Sequence, residues 1–103
     1  MLAPARVELD AIVRYWVDRE GTRWRRRLAS PDTLAAMRQE VIAFARSRAE
    51  RSRLLQLALR SGQEIDAAVR TDQFGNVEVY AFFRIMPAER LRFSDFRRPG
   101  GNE

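Results

Sequence analysis

The chain of 103 residues contains no cysteine, no histidine and no lysine. Without cysteine there are no disulfides, thiolate metal ligands or thiol nucleophiles. Without histidine the commonest general acid–base and the commonest metal ligand are both missing. Without lysine, Schiff-base chemistry and a phosphate-loop lysine are excluded. No cofactor and no metal site is expected, and a catalytic role is not. All 19 basic residues are arginine. The codons of a GC-rich genome account for that bias. Selection for bidentate, stacking guanidinium contacts would produce the same composition.

Long apolar runs are missing too. None approaches the roughly 20 residues of a membrane-spanning helix. The opening Met1-Leu2-Ala3-Pro4-Ala5-Arg6 lacks the apolar stretch of a signal peptide, so a cytoplasmic protein without membrane association is expected. The hydrophobic content of 46% is ordinary for one globular domain. The net charge of +5 favours an acidic partner: nucleic acid, anionic lipid or an acidic protein surface.

One segment nearly recurs. Glu8-Leu9-Asp10-Ala11-Ile12-Val13-Arg14 returns as Glu64-Ile65-Asp66-Ala67-Ala68-Val69-Arg70, with five of seven residues identical. Each copy is followed by an Asp three residues before a Gly (Asp18 and Gly21, Asp72 and Gly75), then by Pro31 or Pro87. Such repetition suggests two similar units, 6–46 and 63–96, within one domain of residues 1–96. Residues 97–103 read as a flexible tail.

Residues 6–18 satisfy two periods. Val7, Leu9, Ala11, Val13, Tyr15 and Val17 alternate as in a strand, while Leu9, Ile12, Val13, Trp16 and Val17 fit one face of a helix. The repeat favours strand, with Asp18-Arg19-Glu20-Gly21 as a hairpin turn and 22–28 as the return strand. Ser30-Pro31-Asp32 is a strong helix start, and Leu34, Met37, Val41 and Phe44 supply the apolar face behind it. A break near 47–52 and a second helix to Gly62 follow, with a strand over 53–60 as the weaker alternative. Residues 64–86 read as a hairpin: Ile65, Ala67 and Val69 alternate with charged residues. Thr71-Asp72-Gln73-Phe74-Gly75-Asn76 turns the chain, and Val77, Val79, Ala81 and Phe83 line the return strand. Residues 87–96 read as a short helix or turn. The expected fold is α+β, a ββαββ(α) arrangement. An antiparallel sheet of about four strands packs on one main helix and is open to homodimerisation through an edge or free face.

Candidate functional residues are arginines and aromatics. On a strand, Arg23, Arg25 and Arg27 would share one face at intervals of about 7 Å, near phosphate spacing, with Trp24 beside them to stack a base. The bland alternative is a charged edge strand with Trp24 in the core. Arg48 and Arg51 fall in line with an apolar stripe, and Arg53 follows, so an anion or carboxylate partner is implied. Tyr80 and Phe82, with Arg84, resemble a base-stacking platform, although the glycine–aromatic spacing of RNA-recognition strands is absent. Side chains two apart on a strand, such as Glu8/Asp10 and Glu64/Asp66, share a face; arginine pairing is the first expectation for both.

The leading expectation is a non-enzymatic arginine-rich module that binds nucleic acid or a nucleoprotein. A second is an interaction protein, an inhibitor or regulator of phage or plasmid type, acting as a homodimer. A third is a histidine-free ribonuclease built on Tyr15 or Tyr80 with nearby Arg and Glu.

Overall fold

A computed structural model describes residues 3–25 and 30–85. Helix α1 (Ala3–Arg25) is followed by α2 (Pro31–Ala49) and the short α3 (Arg53–Arg60), then by strands β1 (Gln63–Thr71) and β2 (Val77–Ile85). The class is α+β. Among the described residues the sheet has two strands and not four. No helix among them is long and apolar enough to cross a membrane.

The missing strands are those expected at 6–18 and 22–28: residues 6–18 and 22–25 belong to one continuous helix, and 26–28 lie outside the described residues. Burial shows why. Ala5, Leu9, Val13 and Trp16, spaced three and four apart, are buried, whereas the strand-only positions Val7 and Tyr15 are 69% and 46% exposed. The helical stripe has a partner surface and the alternating one has none. Gly21 does not turn the chain, because its φ is not positive and the helix runs through it to Trp24, which is buried. The two copies of the repeated segment therefore fold differently, 8–14 as helix and 64–70 as strand.

Helix α2 begins as its sequence dictates. The Ser30 hydroxyl accepts from the Thr33 N–H at 3.1 Å, and Pro31 occupies the first turn. It ends at Ala49, whose carbonyl accepts from Gln56 Nε2 at 2.9 Å. Ser52 then caps α3, accepting from Leu55 N–H at 3.2 Å, and Gly62 at φ +90° closes the helix in the left-handed region.

Helices α1 and α2 are antiparallel. Ala5 and Leu9 near the start of α1 meet Ala45 and Ala49 near the end of α2, together with Leu55, Ala58 and Ile65. Val13, Trp16 and Trp24 meet Met37, Val41, Ile42 and Ala67. Alanines at 5, 45, 49 and 58 let the helices approach closely. Both helices lie on the hairpin face formed by Ile65, Ala67 and Val69 opposite Phe83, Ala81 and Val79. The hairpin turn is held by Asp72. Its Oδ1 accepts from the Phe74 and Asn76 N–H groups at 2.8 and 2.9 Å, and Gly75 takes φ +83°.

Two arginines of α2 reach the outer edge of β1. Arg38 Nε donates to the Ala67 carbonyl at 2.7 Å, and Arg46 Nη2 donates to the Ile65 carbonyl at 3.4 Å. Asp66 Oδ1 accepts from the Ala67 N–H at 2.8 Å. Three outward-facing backbone groups of the strand, the Ile65 and Ala67 carbonyls and the Ala67 N–H, are thus occupied by side chains.

Candidate nucleic-acid interface

The structure distributes the expected residues over three places. Arg23, Trp24 and Arg25 close α1, and Arg27 lies outside the described residues. On a helix, positions two apart lie on nearly opposite sides of the axis, so positions 23 and 25 do not share the one face that a strand would give them. Arg23 is instead tied down. It donates from Nε to Glu20 Oε1 at 2.9 Å and from Nη2 to Glu40 Oε2 at 2.6 Å, and its guanidinium lies 4.9 Å from the Trp24 ring centroid. The two carboxylates raise its pKa further, the Glu20 hydrogen bond first. Trp24 is only 6% exposed, packed among Val13, Met37 and Val41. It is a core residue and offers no face to a base.

On the outer face of the hairpin, Tyr80 and Phe82 stand side by side, 45% and 40% exposed. The Arg70 guanidinium sits 5.1 Å from the Tyr80 ring centroid and bonds Glu78 at 3.2 Å. Arg84 is committed elsewhere: its Nε reaches Glu64 Oε2 at 2.6 Å and Asp66 Oδ2 at 3.4 Å. The two carboxylates are buried, and Arg38 also donates to Asp66. Burial acts to raise the Asp66 pKa. The Ala67 N–H, then Arg38 and Arg84, outweigh it and hold the carboxyl below the usual aspartate range. Among the described residues no group of His, Cys, Asp or Glu is arranged to hold a metal.

The third place brings in residues that the strand reading of 6–18 hid. Tyr15 of α1 stacks on Phe44 of α2, with ring centroids 6.1 Å apart and planes 19° apart. Arg48, one turn beyond Phe44, places its guanidinium 5.0 Å from both rings, and Arg19, one turn beyond Tyr15, lies 5.5 Å from the tyrosine. Both distances fall within cation–π range. Glu8, Ala11, Ile12 and Tyr15 line one side of an open cavity of about 220 Å³, with Phe44 and Arg48 on the other. That is smaller than the roughly 300–1,000 Å³ of an enclosing small-molecule site, and suits a planar group laid against the surface. Arg51 in the α2–α3 turn and Arg53 opening α3 continue from Arg48. Both are exposed and make no ion pair among the described residues. The sequence signal for this cluster was the four-residue spacing of Tyr15–Arg19 and Phe44–Arg48, visible once both segments are helical.

Comparison with protein-family models, with curated proteins and with solved structures finds no match to this chain.

Proposed function

We propose that the chain is a non-catalytic module that binds single-stranded nucleic acid on the surface made by Tyr15, Phe44, Arg19 and Arg48, with Arg51 and Arg53 as phosphate-binding arms. The observation that carries this reading is the exposed Arg48 guanidinium stacked on both Tyr15 and Phe44. Such a surface takes unpaired bases by stacking, and adjacent uncommitted arginines neutralise the phosphates between them. The net charge of +5 supports the same partner. A duplex hides its base faces and gains only the phosphate contacts.

The test is fluorescence anisotropy with labelled single- and double-stranded DNA and RNA across a salt series. Single strands are expected to bind more tightly. Tyr15→Ala should weaken binding by the worth of one stacked base, about 1–3 kcal/mol. The double variant Arg51→Ala/Arg53→Ala should lower the log–log salt slope by about 1.4, at roughly 0.7 per phosphate on a single strand. Equal affinity of wild type and Tyr15→Ala for every probe defeats the reading.

A second reading has one observation in its favour. Glu8, Tyr15 and Arg48 line the same cavity, the residue types a histidine-free ribonuclease would use as base, hydroxyl and phosphate clamp. Cleavage of labelled RNA that is lost in Glu8→Gln would replace the binding reading with this one.

A further inference from the structure

We propose that β2 pairs antiparallel with β2 of a second copy of this chain, about a twofold axis through Ala81, to make a continuous four-stranded sheet. The two edges of the hairpin are treated differently. On β1, the groups of Ile65 and Ala67 that face away from β2 are engaged by Arg46, Arg38 and Asp66. In an antiparallel ladder, residues opposite such outward-facing positions also point away from their partner strand. Ile65 lies opposite Phe83, Ala67 opposite Ala81 and Val69 opposite Val79. The N–H and C=O groups of Val79, Ala81 and Phe83 therefore face outward along β2, and no hydrogen bond among the described residues reaches them. An open edge of this kind is a template for another strand.

The side chains specify which strand. β2 reads Val77-Glu78-Val79-Tyr80-Ala81-Phe82-Phe83-Arg84-Ile85. Turned antiparallel on itself about Ala81, it sets Glu78 against Arg84, Tyr80 against Phe82 and Val77 against Ile85. Val77, Tyr80, Phe82 and Ile85, the four exposed large hydrophobics of this strand, are thereby all matched with one another. The outward backbone groups of Val79, Ala81 and Phe83 meet in hydrogen-bonded pairs. Glu78–Arg84 and Tyr80–Phe82 fall at the closer, non-hydrogen-bonded positions, where side chains interact most strongly.

The charges extend across the whole sheet. Within one hairpin Arg70 already pairs with Glu78, and Arg84 with Glu64. Joining two hairpins gives a row of Arg70, Glu78, then Arg84 and Glu64 of the second copy, alternating in sign at every step. Shifting the register one position toward Tyr80 sets Glu78 against Phe82. Shifting it toward Phe82 leaves Glu78 beyond the partner strand. The Tyr15 surface is built from α1 and α2 and uses no residue of β2.

The test combines sedimentation with amide hydrogen exchange. The wild-type chain should sediment as a dimer, and the Val79, Ala81 and Phe83 amides should be protected. Ala81→Pro removes an N–H that β1 does not use and that proline can lack on an edge strand. It should sediment as a monomer with an unchanged far-UV spectrum. Should Ala81→Pro fail to fold, Glu78→Arg decides. It sets like charges opposite each other twice across the axis and should weaken the dimer about tenfold. A wild-type monomer at the concentrations NMR requires, a dimer unaffected by Glu78→Arg, or freely exchanging Val79, Ala81 and Phe83 amides each overturns the proposal.

Discussion

Replacing Trp24 with alanine separates a core residue from a ligand-stacking one. The indole is 6% exposed and fills the space between the last turn of α1 and Met37, Val41 and Ile42 of α2. A buried aromatic withdraws about 200 Å² from water, which at about 25 cal/mol per Å² gives an upper figure near 5 kcal/mol. Truncation of buried Trp or Phe to alanine falls at roughly 3–5 kcal/mol. The site lies at a helix end, where partial collapse is easiest, so Trp24→Ala should lose about 3–4 kcal/mol. That is a large share of the roughly 5–15 kcal/mol that holds a domain folded. It should lower Tm by about 15–30 °C. Urea and thermal unfolding followed by far-UV circular dichroism measure it. Tyr15→Ala is the control: its ring is 46% exposed, and its loss should stay within about 1 kcal/mol. If Trp24→Ala unfolds within about 1 kcal/mol of wild type, the packing of α1 on α2 described above is wrong. If it keeps its stability but loses nucleic-acid binding, the indole is a stacking surface after all.

Three further outcomes follow from the same geometry. Ser52→Ala removes the cap of an eight-residue helix and should lose about 1 kcal/mol in urea unfolding, an effect that Ser52→Asp largely restores. Gly75→Ala meets no neighbour within 4 Å but must adopt φ +83°, so its loss of about 1–2 kcal/mol should be purely conformational and reproduced by Gly75→Val or worse. Asp66 has its pKa depressed in the folded state, so its stabilisation is complete above the ordinary aspartate value near 3.9 and is lost as pH falls through the lower folded value. Unfolding free energies from pH 7 to 2 should therefore fall less steeply on the acid side for Asp66→Asn than for wild type, and parallel curves would contradict the ion network around Asp66.

Much of the fold was legible wherever local chemistry and long-range packing agreed. The Ser30-Pro31-Asp32 start, the break before Arg53, the glycine stop at Gly62 and the hairpin as far as Ile85 are set by residues within a few positions of where they act. Residues 6–18 were different, because their apolar residues satisfy both periods and nothing local chooses. The choice is made at a distance. Leu9, Val13 and Trp16 find Ala45, Val41 and Met37 to cover them, while Val7 and Tyr15 find no core. The candidate site was hidden for the same reason. Arg48 was visible as a cation in an apolar line, but its partner Tyr15 belongs to another helix and meets it only when α1 and α2 pack antiparallel.

The recurring segment makes the point most directly. Glu8–Arg14 and Glu64–Arg70 share five of seven residues, including the acidic pair, yet one copy is helical and the other extended. Intrinsic propensity in so short a piece is worth a few tenths of a kcal/mol per residue and does not decide between them. Context does. Upstream of the first copy Ala3-Pro4 opens a helix, and downstream Trp16 and Trp24 extend the buried stripe at helical spacing. Gly62 stops α3 directly before the second copy, and the Asp72–Asn76 turn returns a complementary strand to it. The acidic residues complete the distinction. In the helix Glu8 and Asp10 diverge toward solvent, with Glu8 lining the Tyr15 cavity. In the strand Glu64 and Asp66 share one face, where Arg84 bridges both and Arg38 holds the second. A strand in the first copy would need a matching pair of arginines across a ladder. Arg23 binds Glu20 and Glu40 of the helical layer instead.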